Sequence, residues 1–194
     1  MLRSKRLIRL RLFVCLSILF VCSPQNGFSE ESFSESWQSL ETKYTAIHYH
    51  TVSDLYKFDR MIAYSPGQWG FPSLFKKSDP KDRLEKIGRK VDTLFEKVQK
   101  ILDMRKRFQK VNINVCADKK ELAAAYLQLN KQPCQIRAWY AYELNTIYIN
   151  IKDVHEEILA HEMAHAIIDH YLLVRPPATA AEILARYVHK HLYD

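Results

Sequence analysis

Two histidines and a glutamate in HEMAHAIIDHY, residues 161–171, have the types and spacing needed to bind a metal ion and to move a proton. On a helix, His161 and His165 lie one turn apart on the same side, about 5 to 6 Å from each other. Zn²⁺ takes N or O ligands at roughly 2.0 to 2.2 Å in a tetrahedral arrangement. The spacing therefore predicts that both imidazoles bind one zinc ion.

Glu162 directly follows the first of these histidines and so lies about 100° further around the helix. This direction makes it a poor metal ligand but lets it reach a water on the metal. A metal ion lowers the pKa of such a water towards about 7. We therefore expect Glu162 to act as a general base, which takes the proton of the water and passes it to a leaving amine.

The residues around the motif are mostly apolar, which predicts a helix buried on most sides. Histidines in such a helix need polar partners, or they destabilise it. This requirement favours a metal site over a chance match to the pattern. The apolar neighbours are Ile158, Leu159, Met163, Ala164, Ile167 and Ile168.

Glu182 is the predicted third ligand, from a last helix that starts near Ala178 after the Pro-rich break at 175–177. The alternative is a solvated or capping glutamate in the first turn of that helix. Asp169, one turn after His165, could orient an imidazole or be a surface carboxylate. His170 lies about 140° around from His165, which makes it a poor ligand.

HEMAHAIIDHY followed by Glu182 resembles the gluzincins, the thermolysin-like (peptidase MA-like) zinc metallopeptidases. The resemblance is specific over about residues 136–190. It implies a zincin-like α+β fold with a small mixed or antiparallel sheet packed on helices, a Zn²⁺ cofactor, and His161, His165 and Glu182 as its ligands. It also implies that an edge strand at Ala138, Trp139 and Tyr140 pairs through its backbone with an extended peptide or protein substrate.

Two features depart from the family pattern. Many gluzincins carry an aspartate four residues after the glutamate ligand, where this chain has Arg186. Larger members also have a C-terminal domain with a His or Tyr that stabilises the tetrahedral intermediate, whereas this sequence ends at Asp194. Tyr140, Tyr187 and His189 are the candidates for that role. We therefore weigh a peptidase against a catalytically weak zinc-binding module that acts in envelope binding or assembly, and against a domain without metal.

The remaining chain reads as alternating strands and helices. Period-two patterns predict strands over 43–52, 111–115, 137–142 and 146–151, the last two as a hairpin. A long helix begins after Ser78-Asp79-Pro80, and its apolar stripe predicts packing on the sheet. Further helices are expected over 119–129, over the motif with Asp153 as its cap, and from Ala178 onward.

The first 29 residues predict a secretory signal peptide. Five basic residues precede the apolar run Leu12 to Val21, which is about half the ~20 residues that span a bilayer. We expect a mobile segment over 30–42, a zincin-like metallopeptidase domain over 43–194, and a secreted or periplasmic, cell-envelope location. Membrane contact is expected only through an uncleaved leader.

Charge and cysteine content refine these expectations. The leader holds five basic and no acidic residues, so only +2 of the net +7 belongs to the rest of the chain, and we expect no nucleic-acid partner. In an oxidising compartment, Cys116 and Cys134 predict a disulfide, with two buried free thiols as the alternative. The sequence leaves open the substrate, the choice between endo- and exopeptidase activity, and the oligomeric state.

Overall fold

Five strands form one mixed sheet in the part of the chain that the computed structural model describes, residues 37–64, 79–107 and 109–194. The predicted signal peptide lies outside these residues. The strands are β1 (Gln38–Glu41), β2 (Thr45–Tyr49), β3 (Val111–Cys116), β4 (Ala138–Ala141) and β5 (Thr146–Asn150). Their order is β1-β2-β3-β5-β4. The β2–β3 and β3–β5 pairs are parallel, whereas β1 and β4 are antiparallel edge strands.

Among the described residues, two α-helices lie between β2 and β3, one lies between β3 and β4, and two follow β5. They are α1 (Val52–Met61), α2 (Pro80–Leu102), α3 (Lys119–Asn130), α4 (Glu156–Tyr171) and α5 (Ala178–Lys190). The predicted start of α2 is confirmed, because Asp79 caps it by accepting a hydrogen bond from the Lys81 amide (3.2 Å). None of the helices among the described residues has the length and apolar character needed to cross a bilayer.

One face of the sheet carries the main core. Alternation along β3 and β5 directs Ile113, Val115, Ile147 and Ile149 to this face, where all four are fully buried. The apolar stripe of α2 packs into the same core, which confirms its predicted role in core packing. Its fully or almost fully buried members are Ile87, Val91, Leu94 and Val98.

The opposite face of the sheet is covered by α3. Tyr148 points to this face, since it alternates with the buried isoleucines of β5, and it stacks on Trp139 of β4 (4.3 Å between ring centroids). Tyr126 of α3 packs edge-on against Trp139 (5.2 Å). The fold is therefore a mixed α/β arrangement, compatible with the predicted α+β class.

Two elements differ from the sequence-based expectation. Residues 38–41, within the segment predicted to be mobile, form the edge strand β1. Helix α1, which was not predicted, begins at the last residue of the strand predicted over 43–52. Thr51 caps α1 by accepting from the Asp54 amide (3.2 Å), and this cap stops β2 and starts the helix.

Two local predictions are wrong. Asp153 does not cap α4: its carboxylate accepts from the Asn150 side chain (2.7 Å) in the turn after β5, and His155 holds the N-cap position without a side-chain bond.

Cys116 and Cys134 are free thiols rather than a disulfide. Cys116 is buried at the end of β3, where burial raises its pKa to about 12, and Cys134 is half-buried in the segment before β4.

Candidate metal centre

Helices α4 and α5 position the predicted ligands. Helix α4 packs against β4 and β5, and α5 packs against α4. Residues 172–177 connect the two helices, and Pro177 is the N-cap residue of α5. Both helices carry buried alanines, whose small side chains let packed helices approach closely. The buried alanines are Ala160, Ala164 and Ala166 on α4, and Ala181 and Ala185 on α5.

The side chains of His161, His165 and Glu182 converge, as the sequence predicts. The Nε2 atoms of the two histidines are 3.3 Å apart. Oε2 of Glu182 lies 3.5 Å from Nε2 of His161 and 3.4 Å from Nε2 of His165. All three donor atoms thus fall within a distance of one another that suits a single metal ion.

The three separations fit a tetrahedral zinc site. Two donors bound at about 2.0 to 2.1 Å and at the tetrahedral angle are separated by roughly 3.3 to 3.4 Å. The observed separations of 3.3, 3.4 and 3.5 Å lie at or just above this value. With two nitrogens and one carboxylate oxygen, the group supplies three of four tetrahedral positions and leaves one for a water or a substrate.

The protonation states also suit a metal site. Burial lowers the pKa of both His161 and His165, and the charge of Glu182 only partly opposes this effect. The imidazoles therefore keep a free lone pair at neutral pH. Burial alone would raise the pKa of Glu182, but the hydrogen bond from Arg186 and the nearby imidazoles lower it below its ordinary value.

Arg186 braces the glutamate of the triad. Its Nε donates to Oε1 of Glu182 (2.7 Å), while Oε2 of Glu182 faces the histidines. The resemblance to the gluzincins had put in doubt only the aspartate that many of them carry at this position, and Arg186 contacts Glu182 in its place. The i,i+4 spacing of Glu182 and Arg186 on one helix was the available signal for this contact.

Glu162 lies beside the triad as a buried carboxyl group, with 9% of its surface exposed. Burial raises its pKa to about 8, although a hydrogen bond from the Tyr140 backbone opposes the shift. The charge of Glu182 raises it further. The carboxyl group is therefore adjacent to the triad, held by β4, and able to bind or release a proton near neutral pH.

The two polar residues at the end of α4 have partners away from the triad. Asp169, whose side chain is 3% exposed, forms an ion pair with Arg175 (3.3 Å). Nε2 of His170 contacts Oδ1 of Asn145 (2.7 Å) and the Tyr140 hydroxyl (3.3 Å). The prediction that His170 is not a ligand agrees with this contact.

Of the three candidates for stabilising an oxyanion, His189 has a ring contact with His161 of the triad. Its ring centroid is 6.5 Å from that of His161. The Tyr140 hydroxyl contacts Asn145 and His170 instead. Tyr187 packs on the His191 ring, with 4.3 Å between ring centroids.

The register of β4 decides which backbone groups face the open edge. Arg137 accepts from the Asn150 amide (3.0 Å), so this opposed pair is a hydrogen-bonded one. Such pairs alternate along an antiparallel ladder. Trp139 is therefore hydrogen-bonded to β5, whereas the backbone groups of Ala138 and Tyr140 point outward. The expectation that Trp139 also offers its backbone to a substrate is wrong for this reason.

A cleft of about 930 Å³, which we call the main cleft, contains the triad and Glu162. The residues Trp139 and Tyr140 of β4 form one wall, and the start of α5 forms another. A cleft that combines a buried acid with a few convergent polar groups is a common form of an active site. Comparison with known protein families, curated proteins and solved structures finds no match for this chain.

Proposed function

We propose that this protein is a secreted or cell-envelope zinc peptidase with a zincin-like fold of gluzincin type. The observation that carries the proposal is the tetrahedral spacing of the donor atoms of His161, His165 and Glu182, next to the buried carboxyl group of Glu162. The open edge of β4 along the main cleft adds a place for an extended peptide.

Zn²⁺ held by the triad would supply Lewis acidity towards a carbonyl oxygen and lower the pKa of a water. Each protein group has a separate task. The neutral imidazoles and the Glu182 carboxylate hold the ion, and Arg186 fixes the second oxygen of that carboxylate. Glu162 would take the proton of the attacking water and give it to the leaving nitrogen, since its carboxyl group lies beside the triad.

The outward-facing backbone groups of Ala138 and the carbonyl of Tyr140 would align the substrate. A peptide that adds as a strand to β4 gains main-chain hydrogen bonds and is drawn across the triad. Because the Tyr140 amide also bonds Glu162, the substrate-binding strand and the general base are held in one geometry. This link orients the base relative to the scissile bond.

The alternative function is a catalytically weak zinc module that binds or assembles envelope proteins. It is favoured by the positions of the oxyanion candidates, since the Tyr140 hydroxyl and the Tyr187 ring have partners away from the triad. Loss of an oxyanion donor costs on the order of 10² to 10³ in rate. The two functions share the metal and differ in turnover.

Metal analysis of the purified full-length protein tests the shared part. We expect about one zinc per chain, lost in His161→Ala and Glu182→Ala because both remove a donor atom. His170→Ala is the matched control, since it removes an imidazole of the same helix that lies outside the triad. Full zinc retention by Glu182→Ala would show that Glu182 is not a ligand.

Peptide cleavage separates the peptidase from the zinc module. The wild-type protein is expected to hydrolyse members of a broad peptide library, measured by mass spectrometry. Glu162→Gln should keep its zinc and lose about 10² to 10⁴ in turnover, because the amide cannot accept the proton. A zinc-loaded wild-type protein that cleaves no peptide would support the binding module instead.

A further inference from the structure

A second, smaller cleft of about 420 Å³ opens on the other side of the triad, and we call it the side cleft. It shares His161, Glu162 and Arg186 with the main cleft. Its remaining walls come from the segment that leads into β4 and from the α4 and α5 helices. These remaining residues are Ile136, Arg137, Ala138, Ile158 and His189.

The two clefts lie along the same edge strand. The main cleft touches β4 at Trp139 and Tyr140, whereas the side cleft touches it at Ala138 and the preceding Arg137. A peptide paired with β4 therefore runs from one cleft to the other and passes the triad between them. The side cleft is thus placed to accept a substrate residue close to the scissile bond.

The side cleft has unbalanced positive charge. Arg137 and Arg186 line it with the ionisable His189, and its single carboxyl group is the buried Glu162. Arg186 is partly neutralised by Glu182 (2.7 Å). Among the described residues, the side chain of Arg137 has no ion-pair or hydrogen-bond partner.

The charges of the main cleft are balanced by contrast. Arg175 forms an ion pair with Asp169 (3.3 Å), and its guanidinium lies over the Tyr142 ring, with 4.3 Å between Cζ and the ring centroid. A substrate anion would have to compete with Asp169 for that guanidinium. The difference between the clefts gives the substrate a direction, because among the described lining residues only Arg137 of the side cleft is a guanidinium without an ion-pair partner.

We propose that the side cleft binds a carboxylate of the substrate, so that preferred peptides carry an acidic side chain or a free C-terminus beside the scissile bond. Arg137 is the main partner of this carboxylate, since a guanidinium binds a carboxylate through paired hydrogen bonds. The apolar surfaces of Ile136, Ala138 and Ile158 contact the methylene groups of the bound residue. The proposal rests on the peptidase function proposed above.

Binding measurements on zinc-loaded, full-length Glu162→Gln test the proposal without turnover. Fluorescent peptides of one sequence are compared by anisotropy with an internal Glu or an internal Gln, and with a free or an amidated C-terminus. We expect the favoured carboxylate to tighten binding by about 10-fold. Preference for the internal Glu identifies an acidic side chain, and preference for the free terminus identifies a carboxypeptidase mode.

Variants of Arg137 show whether this side chain causes the preference. In the Glu162→Gln background, Arg137→Gln is expected to reduce the preference to less than about 2-fold, and Arg137→Lys to restore part of it. Lys190→Ala is the matched control, because it removes a neighbouring cation of α5 that does not line the cleft. It should leave the preference unchanged.

Three results would overturn the inference, and they have different meanings. Equal binding of acidic and neutral peptides, with normal zinc content and cleavage by the wild-type protein, would reject the carboxylate site and keep the peptidase. No binding and no cleavage of any peptide would reject both proposals. A preference that persists in Arg137→Gln would show that the carboxylate binds elsewhere.

Discussion

Arg186 stabilises the Glu182 carboxylate in the orientation that faces the histidines. Partners that orient metal ligands in this way are typically worth 10- to 100-fold in metal affinity. The positive charge of Arg186 also repels a cation, but its side chain is 74% exposed, so water screens the repulsion. We expect the orienting hydrogen bond to be the larger of the two effects.

Arg186→Ala is therefore expected to weaken zinc binding by about 10-fold. Competition with a chromogenic chelator measures the change. Arg186→Gln should recover part of the affinity, because its amide can still donate to Glu182 without a positive charge. Tighter zinc binding by Arg186→Ala would show that charge repulsion outweighs the brace.

The sequence predicted that His161, His165 and Glu182 come together, but it did not predict the residues that support them. The i,i+4 spacing places His161 and His165 on the same side of their helix, whatever that helix packs against. Glu182 could be predicted because only a short connection separates its helix from the helix of the two histidines. Arg137 could not be identified, since its role depends on which strand lies at the edge of the sheet and which helices border it.

Helix α2 is tied to the turn between β1 and β2 by one carboxylate. Asp92 accepts from the Thr42 hydroxyl (2.7 Å), the Lys43 amide (3.0 Å) and the Tyr44 amide (3.1 Å). These bonds connect a long helix to the outermost hairpin of the sheet. They hold the short strand β1, which buries little of its own surface.

Asp92→Ala leaves two backbone amides and a hydroxyl without their acceptor, and we expect it to lower the free energy of unfolding by about 1 to 3 kcal/mol. Urea denaturation followed by circular dichroism measures this loss. Asp92→Asn should lose less, since it keeps one acceptor oxygen. Glu85→Ala, which removes only a surface ion pair of the same helix, should stay below about 0.5 kcal/mol.

Predictability of the elements depended on the strength of their local pattern. Helix α2 and the strands β3 and β5 each bury one side, so the spacing of their apolar residues was sufficient to predict them. Helix α1 was missed although Thr51 and Asp54 have the spacing of a helix start. The disulfide was wrongly predicted because the positions of two cysteines in sequence do not fix the distance between them in space.

In the whole molecule, zinc binding is expected to increase the stability of the fold without being required for folding. The main core joins the sheet to α1, α2, α4 and α5 and contains none of the proposed ligands. The metal-free protein is therefore expected to stay folded, while zinc adds stability through a further link between α4 and α5. A ligand at 100 times its Kd stabilises the bound state by about 2.7 kcal/mol.

Thermal unfolding with and without zinc tests this link. A stabilisation of this size raises the Tm by roughly 5 to 11 °C for a domain of this length. The shift should be much smaller in Glu182→Ala, and the chelator-treated wild-type protein should keep its circular dichroism spectrum. An equal shift in the wild-type protein and Glu182→Ala would indicate zinc binding at another place.

The proposed ligands all belong to two consecutive helices joined by residues 172–177. The parallel strand pairs, in contrast, join distant residues, such as Thr45 with Val111. Loop-closure entropy rises with sequence separation, by about 0.6 kcal/mol for each doubling. The three ligands are close in the sequence, so they can meet before the parallel strands pair. Zinc can therefore act as a nucleus for the folding of the C-terminal helix pair.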